Sequence, residues 1–222
     1  MRRSQVCAPY WSVIRNMEDN PEIFLVVFVE GQTDKEFYKR MIDYLKIKNP
    51  DKKPIPVIFK NLQGVTNYNK APSIFQNDIL KKSNISKDSK FLIICSYDND
   101  AFKNIYQLKP PVDWKKVKSE LKKQKSIIDI NEIKAKDSIE DWFLKDMDGL
   151  CAYLKAQKIP KLKELKGTTG EDKIKYLFLK NARVYQKGHN VHKFIDYLNF
   201  ELLYISLHEE LQILENCLFT ES

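Results

Sequence analysis

The chain has 222 residues, of which 43% are hydrophobic, and its 38 lysine and arginine residues against 30 aspartate and glutamate residues give a formal net charge of +8. This composition predicts one substantial domain with an ordinary core, and the positive charge favours an anionic partner such as nucleic acid. The four cysteines are far apart and form no C-x-x-C pair, so neither a zinc ribbon nor a disulfide framework is indicated. No apolar run reaches the ~20 residues of a membrane span and no signal peptide pattern is visible, so we expect a cytoplasmic protein with no membrane partner.

The first part of the chain is predicted to contain an arm, a strand and a helix. Residues 1–22 show no strong periodicity and are assigned to an N-terminal arm. The apolar run from Ile23 to Val29 suits a strand buried on both faces of a parallel sheet, which places Glu30 at the carboxyl end of that strand. After this strand, apolar residues recur at helical spacing over 33–47, with Thr33 as the predicted N-cap.

Strands and helices then alternate up to residue 158. Further strands are predicted at about 56–59, 90–97 and 126–130, and helices at 66–82, between 109 and 125, and from 138 to about 154. The third strand runs directly into Asp98-Asn99-Asp100. This alternation predicts an α/β domain over 23–158, with a mostly parallel four-stranded sheet, right-handed crossovers and flanking helices.

The chain becomes wholly helical after Pro160. A helix is expected from about 168 to the segment 185–188, followed by helices at about 192–199 and 200–218. Because about 60 residues bury little surface on their own, we expect residues 159–222 to form a helical extension packed on the sheet domain.

Two groups of acidic residues follow predicted strands. Glu30 and Asp34 come after the first strand, and Asp98 and Asp100 after the third. Neighbouring parallel strands would bring both groups to one edge of the sheet, and Mg²⁺ and Mn²⁺ are hard ions held by carboxylate oxygens. The pattern therefore predicts a divalent-metal site. The alternative is that these acids only cap the following helices, which applies most directly to Asp34.

These motifs resemble a known family. The segment Val29-Glu30-Gly31-Gln32-Thr33-Asp34, with Ser96-Tyr97-Asp98-Asn99-Asp100 later, looks like the Toprim domain of topoisomerases, bacterial primases, the maturase ribonuclease of ribosomal RNA and the overcoming-lysogenization-defect nucleases. The resemblance covers about residues 23–140 and implies a Toprim-like, Rossmann-like fold. It also implies that Glu30 carries acid/base chemistry in phosphodiester transfer and that Asp98 and Asp100 hold Mg²⁺ or Mn²⁺. Asp34, the aspartate of the first motif, is placed with Glu30 among the catalytic residues.

Two later segments look more specifically like small stand-alone Toprim-like proteins of prokaryotic defence loci. They are the helix start at Ile139-Glu140-Asp141-Trp142 and the segment Tyr185-Gln186-Lys187-Gly188. This resemblance implies that Glu140 joins the metal ligands and that Lys187 supplies positive charge to the reacting phosphate. The alternatives are a helix-terminal acid for Glu140 and a lysine facing helix-terminal carbonyls for Lys187.

The function expected from these residues is an Mg²⁺- or Mn²⁺-dependent nuclease acting on DNA or RNA, as an effector of anti-phage defence. The alternative is a binding or regulatory subunit that keeps the fold and does no cutting. There is no P-loop, so any NTP hydrolysis would come from a partner such as an ATPase or another regulator, and an oligomer is compatible with the sequence. A lysine cluster either follows the nucleic-acid backbone or forms only a solvated helix face. Its members are Lys115, Lys116, Lys118, Lys122 and Lys123.

Overall fold

The computed structural model describes residues 21–82, 85–102, 110–189 and 191–219. The arm predicted for 1–22 lies outside the described residues, apart from Pro21 and Glu22. Within these ranges no helix combines the length and the apolar character that crossing a membrane requires.

A four-stranded parallel sheet forms the centre of the molecule, with the strand order β2-β1-β3-β4. The α/β fold with a parallel sheet is thereby confirmed, and the architecture is Rossmann-like. The strands are β1 (Ile23–Val29), β2 (Val57–Asn61), β3 (Lys90–Asp98) and β4 (Ile127–Ala135). β4 extends well beyond the predicted 126–130 because it pairs along nearly all of β3, while its polar side chains hide the strand pattern.

The topology creates a crevice at the carboxyl ends of β1 and β3. From β1 the chain continues to β2 on one side, and β3 then returns to the opposite side of β1. In open α/β sheets such a change of direction is the place where ligands bind, because the connecting segments leave the sheet on opposite faces. Glu30 and Asp98 flank this crevice, since Val29 is paired with Ser96.

The helices cover both faces of the sheet and are more broken than the sequence pattern predicts. In place of the single helix predicted over 66–82, the chain forms a 3₁₀ turn (Val65–Lys70), a short α-helix and a π turn (Phe75–Ile79). Pro72 lies in the first turn of the short α-helix, where its missing N–H is tolerated. The segment 138–154 forms two helices, and Asp146 between them accepts the Gly149 N–H at 3.0 Å. The α-helices are α1 (Gln32–Lys48), α2 (Ala71–Ile74), α3 (Trp114–Lys122), α4 (Ile139–Phe143), α5 (Met147–Leu154), α6 (Gly170–Lys180), α7 (His192–Ile195), α8 (Phe200–Ser206) and α9 (His208–Leu218).

Two hydrophobic layers follow from the alternation of side chains along the strands. Leu25, Val27 and Val29 of β1 face the C-terminal layer, which comprises α1 and α4 to α9. The intervening residues of β1 face the α3 layer, which comprises residues 62–80 and 112–122. The described cysteines are buried and unpaired, so they serve as small apolar core residues; they are Cys95, Cys151 and Cys217.

A buried tyrosine of the α3 layer joins the carboxyl ends of the two central strands. The Tyr68 hydroxyl lies 3.0 Å from the carbonyl oxygen of Phe28 in β1 and also contacts the carbonyl oxygen of Ser96 in β3. These residues precede Glu30 and Asp98 by two positions. Tyr68 therefore fixes the backbone on which both acids are carried.

Candidate functional site

The two predicted acidic groups meet at the carboxyl edge of the sheet. The Asp98 backbone N–H donates to Glu30 Oε1 at 2.8 Å, so the side chain at the end of β1 is bound to the backbone at the end of β3. The Gly64 N–H, in the loop after β2, donates to the Glu30 carbonyl oxygen at 2.9 Å. Glu30 is therefore held by hydrogen bonds from the end of β3 and from the loop after β2.

Asp98 points into the C-terminal layer. It shares the strand face of Leu92 and Ile94, which lie in that layer, and only 3% of its surface is exposed. Its Oδ1 accepts the backbone N–H of Ile139, the first residue of α4, at 2.9 Å. A donor at a helix N-terminus favours a carboxylate at this position.

Glu140 belongs to the same buried cluster. It is fully buried, its Oε1 accepts the Tyr185 hydroxyl at 2.7 Å, and its Oε2 lies 3.5 Å from Lys187 Nζ. The capping role at this helix is filled by Asp141, whose carboxylate accepts the N–H and the hydroxyl of Ser138. Glu140 therefore faces the site rather than the end of its own helix.

Lys187 supplies a cation to the cluster. Its Nζ lies 3.0 Å from Asp98 Oδ2, and the next residue, Gly188, has a φ of +79°, which favours glycine. The Gly188 N–H donates to Thr33 Oγ1 at 2.8 Å. The prediction that Thr33 is an N-cap is wrong, because α1 begins at Gln32, and the threonine instead anchors the lysine-bearing segment.

Asp34 lies in the first turn of α1 and is 2% exposed. In the part of the chain that the structure describes, its Oδ2 has no hydrogen-bond partner. A Cβ at Gly31 would lie 3.3 Å from this oxygen, so a glycine at that position leaves room for the carboxylate. The charges of Asp98, Lys187 and Glu30 act on Asp34, which places it beside the cluster.

The burial of several acids together shifts their pKa values upward. Burial, and after it the charge of Asp98, raises the pKa of Glu30 from 4.5 to about 7. Burial raises the pKa of Asp98 to about 6, against the opposing effect of the Lys187 charge. Burial and the charge of Asp98 also hold the pKa of Asp34 well above its ordinary value. For Lys187, burial alone lowers the pKa, but the charges of Asp98 and Glu140 raise it above its ordinary range.

Asp100 is not part of the buried cluster. It is exposed, lies in a 3₁₀ turn (Asp100–Phe102), and its backbone N–H donates to the Asp137 carbonyl oxygen at 3.1 Å. Its negative charge nevertheless raises the pKa values of Glu30 and Asp98. The two aspartates of the D-x-D motif thus have different environments, one buried and one at the rim.

The lysines predicted to bind nucleic acid are spread along α3 rather than gathered at the site. Lys118 forms an ion pair with Glu132, and the other predicted lysines are exposed. The Ile127 N–H donates to the Gln124 carbonyl oxygen, so the end of α3 lies at the amino edge of the sheet. Lys115 and Lys116 are in the first turn of α3, towards the carboxyl edge, and Lys122 and Lys123 are at the far end.

The carboxylates of the site are the residue type that binds a hard divalent cation, although their oxygens do not surround a common position. Among the described residues, no three His, Cys, Asp or Glu side chains stand close enough together to hold a metal ion as they lie. Within the described ranges, two buried carboxylate oxygens, Asp34 Oδ2 and Glu140 Oε2, have no hydrogen-bond partner. Buried carboxylate oxygens are ligands that Mg²⁺ and Mn²⁺ prefer, and such oxygens are costly to leave unpaired.

The fold and the site define a Rossmann-like α/β protein with a buried acidic cluster at its topological crevice. Comparison of the chain with protein-family models, with curated proteins and with solved structures found no match. The structural role of Thr33 had no local sequence signal, because its partner Gly188 is 155 residues away in the chain. The role of Tyr185 is equally non-local, since its partner Glu140 lies 45 residues earlier.

Proposed function

We propose that this protein is a metal-dependent nuclease of the Toprim type, cleaving phosphodiester bonds in DNA or RNA. The observation that carries the proposal is the cluster of the buried acids Asp98 and Glu140, the partly buried Glu30 and Lys187 at the crevice between β1 and β3. Keeping several acids away from water is unfavourable for stability, and such arrangements concentrate at functional sites.

The side chains have distinct roles in this proposal. Glu30, with a pKa of about 7, exchanges a proton readily at neutral pH and acts as the general acid or base. Lys187 places positive charge where a phosphate gains negative charge during the reaction. Glu30, Asp98 and Glu140 would hold Mg²⁺ or Mn²⁺, with Asp100 at the rim. The chemistry that such a cation supplies when bound is polarisation of the phosphate and a lowered pKa for an attacking water.

The substrate follows from charge. A chain with a net charge of +8 and exposed lysines at the start of α3 is suited to the phosphate backbone of a nucleic acid. Contacts of this kind position a strand without reading its sequence. A role in anti-phage defence rests on the resemblance of the motifs, and an effector of this kind needs a partner, such as an ATPase, that restrains it.

A cleavage assay tests the proposal. Plasmid DNA, single-stranded DNA and total tRNA are each incubated with purified protein in Mg²⁺, Mn²⁺ or EDTA. We expect metal-dependent cleavage of at least one substrate, lost in Glu30→Ala. The matched control is Glu22→Ala, which removes an exposed acid at the amino end of the same strand. Full metal-dependent cleavage by Glu30→Ala would overturn the assignment of the site.

A second candidate function has one observation in its favour. The Lys187 ammonium lies within ion-pair distance of both Asp98 and Glu140 and offsets part of their negative charge without a metal. A protein that keeps the fold but does no cutting, as a binding or regulatory subunit of a larger complex, would be stable in this state. Absence of cleavage for every substrate and metal, together with retained binding of nucleic acid, would favour this second function.

A further inference from the structure

The acids at the centre of the site each have one oxygen committed to the protein and one that faces Lys187. Asp98 Oδ1 accepts the Ile139 N–H, and Glu140 Oε1 accepts the Tyr185 hydroxyl. The remaining oxygens, Asp98 Oδ2 and Glu140 Oε2, lie 3.0 Å and 3.5 Å from Lys187 Nζ. A cation that uses both carboxylates therefore has to take the oxygens that the lysine contacts.

We infer that Lys187 is an internal counter-ion that competes with the divalent cation for Asp98 and Glu140. The inference rests on the metal site of the proposed function and adds a mode of regulation to it. When no metal is bound, Lys187 offsets part of the negative charge of the buried acids. When the metal binds, Lys187 leaves them, and its ammonium becomes available to a phosphate at the same site.

The surroundings of Lys187 permit this movement of the side chain without movement of the backbone. Tyr185 and Gly188 on either side are fixed by hydrogen bonds to Glu140 and Thr33. The Lys187 side chain is 37% exposed, whereas those of Asp98 and Glu140 are 4% and 0% exposed. Because the lysine is the only partner of the three with an open path to solvent and four rotatable carbons, it is the one that moves.

Electrostatics gives the direction of the coupling. The negative groups that act on Lys187 are Asp98, Glu140 and Asp34, and each of them also attracts a divalent cation. Two cations a few Å apart in a partly buried site repel each other strongly. Removal of the Lys187 charge should therefore strengthen metal binding while removing a group needed for cleavage.

Isothermal titration of metal-free protein with Mn²⁺ tests the inference independently of activity. We expect Lys187→Met to bind Mn²⁺ at least about tenfold more tightly than the wild type, since repulsion by the ammonium is removed. The matched control is Lys87→Met, which removes an exposed lysine just before β3, at the opposite edge of the sheet, and should leave the affinity unchanged.

The outcomes separate the inference from the proposed function. Equal or weaker Mn²⁺ binding by folded Lys187→Met, beside measurable binding by the wild type, would overturn the competition and leave the nuclease proposal standing. Binding by Lys187→Met alone would support the competition. No Mn²⁺ binding by any of the three proteins would overturn both.

A second measurement uses the wild-type chain and does not depend on a variant that folds. The rate of acetylation of each lysine by an amine-reactive reagent is followed by mass spectrometry, with Mn²⁺ or with EDTA. We expect the rate at Lys187 to rise several-fold with Mn²⁺, while the rate at Lys87 stays constant. An unchanged rate at Lys187, under conditions in which Mn²⁺ binds, would contradict the displacement.

Discussion

The two layers that cover the sheet differ in their relation to the acidic site. The C-terminal layer contributes Asp34, Glu140, Tyr185 and Lys187, all in contact with the cluster or electrostatically coupled to it. The α3 layer contributes Tyr68, which holds backbone at the strand ends, and exposed lysines. One layer forms the site, and the other supports it and carries surface charge.

The difference follows from the direction in which Asp98 points. A buried carboxylate is costly unless donors or cations surround it, so the layer that Asp98 enters must supply them. Ile139 and Lys187 do so. The α3 layer faces apolar residues of the strands, and its charged residues are free to remain in water. Substitutions should therefore affect cleavage in one layer and stability or weak binding in the other.

The largest effect is expected for Asp98→Asn. The amide keeps the shape but loses the charge that holds Lys187, and cleavage should fall by more than about 100-fold, since loss of an outer partner of a metal ligand already costs about 10- to 100-fold. Initial rates on the substrate that is cleaved best give the measurement. Asp88→Asn, an exposed aspartate near the amino end of the same strand, is the control. Cleavage at the wild-type rate by Asp98→Asn would show that the Asp98 carboxylate is not needed for cleavage, and the difference between the two layers would then have no functional meaning.

The next effect concerns the pH dependence of stability in EDTA. The pKa of Glu30 is about 7 in the folded protein and 4.5 ordinarily, so the folded state binds more protons between these values. The resulting stabilisation is present at low pH and is lost as the pH rises through 7. The free energy of unfolding should therefore fall between pH 5 and pH 8, with about 2 kcal/mol of the fall due to Glu30.

Urea denaturation at pH 5, 6, 7 and 8 measures this dependence. Glu30→Gln should show the smaller fall, since it does not titrate, and Glu22→Gln should behave as the wild type. Asp98, with a raised pKa of about 6, adds to the fall in the same direction. Identical pH dependence in Glu30→Gln and the wild type would show that the acid at the end of β1 is not the source.

A matched pair of Tyr→Phe substitutions compares the layers directly. Tyr185→Phe and Tyr68→Phe each remove one buried hydroxyl and should each cost about 1 to 2 kcal/mol of stability. Only Tyr185→Phe leaves Glu140 without its donor, and its cleavage rate should fall about tenfold. Thermal unfolding and initial rates on the folded proteins give the two quantities. Equal losses of cleavage in both variants would contradict the conclusion that only the C-terminal layer forms the site.

The smallest effect is expected on the surface of α3. The double variant Lys115→Glu and Lys116→Glu should weaken binding of single-stranded DNA several-fold and lower the salt dependence of that binding. The double variant Lys122→Glu and Lys123→Glu lies about 10 Å further along the helix and should have less effect. Fluorescence anisotropy at two salt concentrations measures both. Equal weakening of DNA binding by the two double variants would indicate that the DNA does not bind preferentially near the acidic site.

Much of the fold was predictable because its signals are local. Long apolar runs marked β1 and β3, and an acid at the end of each run marked the carboxyl edge of the sheet. The element bounds were less predictable where polar residues pair along an edge strand, as in β4, or where one helical segment divides into 3₁₀, α and π turns, as in residues 65–79. The alternation of strands and helices was sufficient to predict the parallel sheet.

The sequence by itself determined which acids lie at the strand ends, because a strand buried on both faces has to end where charged residues begin. Only the tertiary structure decided which of these acids are buried and what neutralises them. Asp98 and Asp100 are two positions apart, yet one lies under α4 and the other is at the surface. Lys187 reaches Asp98 across 89 residues of chain. Contacts over such separations depend on how the layers pack, and no spacing in the sequence records that packing.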